Sequence, residues 1–556
     1  MARLPRRDDW LALAALGALV LLVGAAARDP LAGRRGPAAG KQASRESAPA
    51  PAARDEAAAV AAVDRLLAAR VAEEGIEPAG PVDELTVLRR AWLGLAGTIP
   101  SLEELRRFEA DASPDRLDRA IDTLLEERRS SDWIARRLAS ALIGDEGGQF
   151  IVFRRDRFTD WLAGALQAGR PWDDVVGEMI ASRGLWTDAP AVNFITQAAA
   201  DGRLDADKLA GRVARVFLGQ RIDCAQCHDH PFAPWKQHEF EGMAAAFAQA
   251  RLSGVGVEDD PARVHRIEAT SVAAIATPMA GAGRNVPPSV PFGAEWLGSG
   301  GTHRENLAAW VVHPGNRRFD RAIVNRAWGI LFGRAWHEPV DDIPDPPAEG
   351  PDLLDTLADD FRTHRRDLRR LFRVIAATRL FRSASTHPLL DDPAGCDRVA
   401  ESWAAFPITR LRPEQVIGAM VATTSLQTID RDSHLLTRTI RFFRENDFIR
   451  EYGAVQDGQG RSQPATIPQA LLQMNGKLAR EMVEANAFTA TGRIAGMARD
   501  DRERLDLAFL AALSRRPTTE ERVALEPLLT EAATKGRGVE DVAWVLVNSP
   551  EFSWSH

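Results

Sequence analysis

Hydrophobic residues return every three or four positions along most of this chain, the spacing of one face of an α-helix. Val60, Val63, Leu66, Leu67 and Val71 form one such stripe. Ser101 with Glu104, just ahead of Leu105 and Phe108, is a capping-box start for another helix, and Thr518 with Glu521 repeats the signal near the end. Alternating strand patterns are rare, and one tyrosine with modest β-branched content disfavours a sandwich or barrel. The pattern predicts a mainly α fold. It breaks at 253–301, where Gly, Pro and Val replace the helical period. That stretch is expected to be an irregular connection, with short strands, between helical domains at 58–252 and 302–556. No fixed-period repeat is present.

The amino terminus reads differently. Arg3, Arg6 and Arg7 precede an uncharged apolar run from Trp10 to Ala27 that ends in small residues. This is an export signal, of a length that allows either a cleaved signal peptide or an uncleaved membrane anchor over 1–27. In both cases the rest of the chain is expected on the periplasmic or outer side of the cytoplasmic membrane. Residues 28–57 have almost no large apolar side chain and are expected to be a disordered tether. The formal net charge of −8 is mild and of the wrong sign for a phosphate backbone, so no nucleic-acid partner is expected.

Against that background the informative chemistry is Cys224-Ala225-Gln226-Cys227-His228. C-x-x-C-H is the spacing by which two thiols form thioethers to one porphyrin while the next imidazole ligates its iron. Cys224, Cys227 and His228 are therefore the candidate haem c residues, with His228 the metal ligand. Two other readings stand beside it: a small disulfide between the cysteines, or zinc held with the help of His228, His230 and His238. Export and haem attachment belong to the same compartment, which favours haem.

At these residues the chain resembles a known family. The run RVFLGQRIDCAQCHDHPFAPWKQHEF, from Arg215 to Phe240, is similar to the hallmark of the planctomycete cytochrome-associated domain of unknown function. The segments VDRLLAARVAEEGIEP, LRRAWLGLAGTIPSLEELRRF and RPWDDVVGEMIAS extend the likeness over Val63 to Ala250. HRENLAAWVVHPGNRRFDRAIVNRAWGILFGRAWHEPVDDI, from His303 to Ile343, resembles the second domain of unknown function that habitually follows it, and ALLQMNGKLA and WVLVNSPEF fit that domain's end. The resemblance implies haem and names no substrate. It also implies that an electron partner is a separate protein, since the tether leaves no room for the extra cytochrome-like domain of larger members. The chain departs from the family at LIGDEGGQF and at Asp345-Pro346-Pro347.

If haem is held, the ligand opposite His228 separates electron transfer from chemistry at an open iron. His238, His265, His303, His313 and Met279 are the candidates, and Phe232 and Trp235 are expected to wall the porphyrin. Asp341-Asp342 is read as a helix cap or solvated turn, with a smaller claim to cation binding or acid–base chemistry. Asn325-Arg326 and Phe332-Gly333-Arg334 are expected to fix packing, an arginine pairing with those acids. Cys396 is expected to be a lone buried thiol. No nucleotide fingerprint, nucleophile elbow or zinc-protease helix occurs. Two functions follow: an exported c-type haem protein in electron transfer or haem-dependent redox chemistry, with a redox partner protein; or a non-redox envelope protein, structural or interacting, whose cysteine pair is cross-linked or binds zinc.

Overall fold

Apolar stripes at helical spacing become twenty α-helices in the computed structural model, which describes residues 51–145, 152–267, 283–345, 352–424, 471, 474, 483–486 and 489–556. In chain order the first ten are α1 (Pro51–Glu73), α2 (Glu84–Ala96), α3 (Leu102–Ala110), α4 (Arg116–Glu126), α5 (Arg128–Ile143), α6 (Arg155–Gln167), α7 (Trp172–Ala181), α8 (Asn193–Thr196), α9 (Ala206–Val213) and α10 (Gln237–Ala245). The second ten are α11 (His303–Val311), α12 (Arg317–Phe332), α13 (Leu353–Thr363), α14 (Leu368–Ala377), α15 (Pro393–Ser402), α16 (Pro413–Thr424), α17 (Ala490–Met497), α18 (Asp501–Leu513), α19 (Thr519–Thr530) and α20 (Lys535–Val547). The fold is mainly α, as expected. Both capping boxes form: Ser101 Oγ accepts from Glu104 N and Glu104 Oε2 accepts from Ser101 N, and Thr518 and Glu521 do the same.

The connection carries the short strands foreseen for it. β3 (Ala250–Ser253) pairs with β4 (Gly256–Asp259) in an antiparallel hairpin, and β5 (His265–Ile267) pairs with β6 (Arg284–Val286). Two further pairs lie elsewhere: β1 (Ala199–Ala200) with β2 (Arg203–Leu204), and β7 (Thr409–Arg410) with β8 (Trp554–Ser555). α1 begins at Pro51, inside the stretch expected to be tether, because Ala-rich sequence from there on has strong helix propensity. The export segment 1–27, the tether up to residue 50, Met279 and most of ALLQMNGKLA lie outside the described residues. No described helix is long and apolar enough to cross a membrane.

One hydrophobic cluster runs through the helices on both sides of the connection, from Val63 and Trp92 through Phe217 and Trp328 to Phe509 and Phe552. Buried arginines tie its distant segments together. Arg90, on α2, donates to the carbonyls of Phe381, Ser383 and His556 at 2.7–2.8 Å and stacks over Phe406. Burial pushes its pKa down to about 9, still above neutrality, so the cation persists. Arg89 donates to Ala512 O and Phe552 O.

Near the same end, Arg515 grips Glu521 and Glu551 at 2.6–2.7 Å. Burial alone would raise the Glu551 carboxyl, but the bonds from Arg515 and His556 prevail and hold it at about 2, against an ordinary 4.5. A depressed folded-state value means stabilisation that is complete above pH 4.5 and lost as pH falls towards 2. After solvent screening this is worth about 2 kcal/mol. Glu551→Gln is expected to flatten the acid limb of stability in that window, measured by urea unfolding at stepped pH; an unchanged limb refutes the assignment.

Candidate functional site

The cysteine segment grows out of a broken helix. α9 runs on into a π-helical turn, Ala214–Leu218, a form that concentrates at functional sites. The turn stops at Gly219, whose φ of +62° and contact with Ile343 both exclude a side chain: an added Cβ would stand 2.7 Å from Ile343 Cδ1. After Gln220 and Arg221 the chain makes one 3-10 turn, Asp223–Gln226, with Cys227 N–H donating to Cys224 O. Ala225 is that turn's one buried residue, a plug into the core. The residues around it face out, so Cys224, Cys227 and His228 are all exposed and both thiols are free.

His228 is oriented. Its Nδ1 lies 2.7 Å from Asp229 O, and since a carbonyl only accepts, Nδ1 carries a proton, which in the neutral imidazole leaves the lone pair on Nε2. His230 is set the other way, with Nδ1 accepting from Phe232 N at 3.2 Å. Its lone pair is thus occupied inside the turn, which distinguishes it from its neighbour. Asp229 closes the following loop: Oδ1 accepts from Gln237 N at the start of α10, and Oδ2 accepts from Lys236 Nζ. Those bonds hold its carboxyl below the usual range. His230 N–H to Trp235 O completes the closure.

The two aromatic residues of the loop separate. Trp235 is only 8% exposed and sits under the Arg318 guanidinium, 5.3 Å from its ring centre, so it packs in the core. Phe232 is 94% exposed at the loop's tip, beside the thiols in sequence. Of the distal candidates, His238 lies on α10 within electrostatic range of Asp229. His265 is in β5, His303 opens α11, and His313 is stacked on Trp296 with Nδ1 accepting from Gly315 N. Among the described residues no three His, Cys, Asp or Glu side chains converge as a metal set.

Asp341 is the residue whose sequence reading needs correction. It is 5% exposed, neither a helix cap nor a solvated turn, while Asp342 beside it is exposed. Its arginine partners are not Arg326 or Arg334. Asp341 Oδ1 accepts from Arg221 at 2.7 Å and 3.0 Å, and Oδ2 lies 3.8 Å from Arg215 Nε. Arg215 in turn bonds Asp223 at 2.6 Å, the residue before Cys224. Two backbone contacts reinforce the join: Ile343 N–H donates to Gly219 O at 2.7 Å, and Gln220 Nε2 donates to Ile343 O at 2.5 Å. Arg334 instead reaches Ala400 O and stacks on Trp403. Asn325 does the packing work expected of it, bonding His337 N, His337 O and Val340 O to shape the approach to Asp341. Cys396 is half-buried, its thiol donating to Leu390 O. Sequence reasoning treated Asp341 and the cysteine motif as separate; the one available signal was the arginine on each side of the Gly219 turn.

The donor set fits haem attachment chemistry. Two free thiols at the required spacing and an imidazole whose Nε2 is left open are what a covalently held porphyrin needs. Comparison with known families divides the chain at the connection. Residues 62–252 match PSCyt2, a protein family of unknown function (DUF1549), and residues 303–529 match PSD1, likewise of unknown function (DUF1553). No curated protein and no solved structure matches the chain.

Proposed function

From a chain that carries the PSCyt2 and PSD1 domains in the planctomycete order, we propose an exported c-type haem protein that transfers electrons or performs haem-dependent redox chemistry with a separate protein partner. The observation that carries this reading is the Cys224–His228 turn: both thiols free and outward, and the imidazole held by its own backbone with Nε2 open. Cys224 and Cys227 would hold the porphyrin through thioethers and His228 Nε2 would ligate its iron. Haem so bound supplies a one-electron couple. What the chain contributes is orientation. Ala225 anchors the turn, Asp229 pins the loop behind it, and the loop carries an exposed apolar ring at Phe232. The export segment supports a periplasmic or outer-side location, the compartment of covalent haem attachment.

The test is a haem stain after denaturing electrophoresis, with a pyridine haemochrome spectrum, on full-length protein exported by a host with c-type haem maturation. Haem that survives denaturation, with a spectrum of thioether-linked porphyrin, is the expected result. Protein matured in that host without haem overturns the reading; stoichiometric zinc or a reducible cross-link would then establish the envelope-protein alternative.

A further inference from the structure

The PSD1 domain supplies a short segment, from Pro339 to Ile343, that is joined on three levels to the stretch from Arg215 to Asp223 leading into the cysteine turn. The backbone level is Ile343 N–H to Gly219 O; the side-chain level is Gln220 to Ile343 O; the charged level is Asp341 with Arg221 and Arg215. Asp341 is the only one of these groups that touches arginines on both sides of the Gly219 turn. Through Arg215 its influence extends to Asp223, whose Oδ1 lies close over Gly211 of α9, where an added Cβ would stand only 2.9 Å away. A second contact from the same domain, Arg318 over Trp235, fixes the far end of the loop. The cysteine turn of the first domain is thus held at its entry and its exit by the second.

We infer that Asp341 is the positioning residue of the Cys224–His228 segment, fixing through Arg221 and Arg215 the turn from which the two thiols and the imidazole project, so that the PSD1 domain completes the cofactor segment of the PSCyt2 domain. The inference rests on reading 224–228 as the haem segment only for what the geometry serves; the geometry itself is testable without haem. The Asp341 carboxylate is a nearly buried acceptor for two guanidinium groups that are themselves about half exposed. Removing it takes away the two hydrogen bonds that orient Arg221 and the charge that draws Arg215 towards the turn.

The experiment is the alkylation rate of Cys224 and Cys227 in full-length, haem-free protein, read by mass spectrometry across pH 6–9, for wild type, Asp341→Asn, Asp341→Glu, Arg221→Gln and Asp342→Asn. Asp341→Asn and Arg221→Gln are expected to change the rate at pH 7 by about three- to tenfold, through altered exposure of the two thiols. Asp342→Asn removes the same formal charge from the neighbouring exposed position and is expected to stay within about twofold, because that carboxylate acts on Arg221 through exposed, screened charge and not through the paired hydrogen bonds that Asp341 accepts. Asp341→Glu is expected to recover part of the wild-type profile. Arg221 is partly exposed, and its variant is read beside Asp341→Asn, each only after its thermal midpoint shows a folded protein. Wild-type rates in both Asp341→Asn and Arg221→Gln, or an equal change in Asp342→Asn, overturn the inference. In haem-loaded protein the same two variants are expected to shift the reduction potential; wild type that takes up no haem while alkylation behaves as described would sink the haem reading and leave the positioning role standing.

Discussion

Replacing Cys224 and Cys227 together by serine is expected to abolish covalent haem completely while leaving the fold intact. Both thiols are free and exposed, and neither touches the core, which Ala225 alone enters from this turn. Serine is close in size, so the stability change should stay within about 0.5 kcal/mol, the range of surface substitutions. Each single variant leaves one thioether and should retain haem at reduced yield. His228→Ala is expected to spare the thioethers but displace the iron's visible spectrum, because it removes the ligand and not the anchors. The reading predicts this separation of covalent retention from ligation, measured by haem stain and by absorption spectrum on the same samples. Haem retained by the double serine variant would refute it, and so would a thermal midpoint that collapses with the thiols.

The second large effect is on stability, at Arg304. Its side chain is fully buried at the start of α11, where it donates to Ile180 O and Ser182 O at the end of α7 and holds Asp259 of β4 in a two-point grip at 2.7–2.8 Å. Three regions of the chain meet on one guanidinium. Burial raises the Asp259 carboxyl, and Arg304 with Arg183 brings it below its ordinary value. Arg304→Met therefore leaves two buried carbonyls without a donor and an almost inaccessible carboxylate with only Arg183 at 2.9 Å. The expected loss is about 3–5 kcal/mol, the usual result of breaking one side of a buried pair. Arg304→Lys should recover little, since an ammonium cannot serve a carboxylate in two places and two carbonyls at once. Denaturant unfolding of the two variants decides the point: a loss under about 1 kcal/mol for Arg304→Met would show that the cluster does not bear on folding.

How much of this could be read in advance follows from the range of each interaction. Helix periods and capping boxes are local, set by residues three or four apart, and the mainly α fold and the Ser101 and Thr518 starts followed from them. The strand-bearing connection was legible because Gly and Pro break a period wherever they cluster. The cysteine motif was legible for the same reason, since its chemistry is contained in five consecutive residues. Buried arginines were not. Arg89, Arg90 and Arg304 look like solvated charges in a sequence rich in arginine, and their acceptors are carbonyls up to several hundred positions away, which carry no sequence signature. Asp341 failed for a related reason: an acid after a proline reads as a turn, and nothing local says that Arg221, 120 positions earlier, closes on it.

By itself, then, the sequence determined the helical class and the candidate thiols and imidazole, all properties carried by neighbours along the backbone. Only the tertiary structure decided that those thiols face outwards around a buried Ala225, that Trp235 is core while Phe232 is not, and that the cysteine turn is gripped by Asp341 from the other domain. These depend on which surfaces close against each other, and the free energy of that closure comes from buried area and long-range charge pairing that no stretch of adjacent residues encodes.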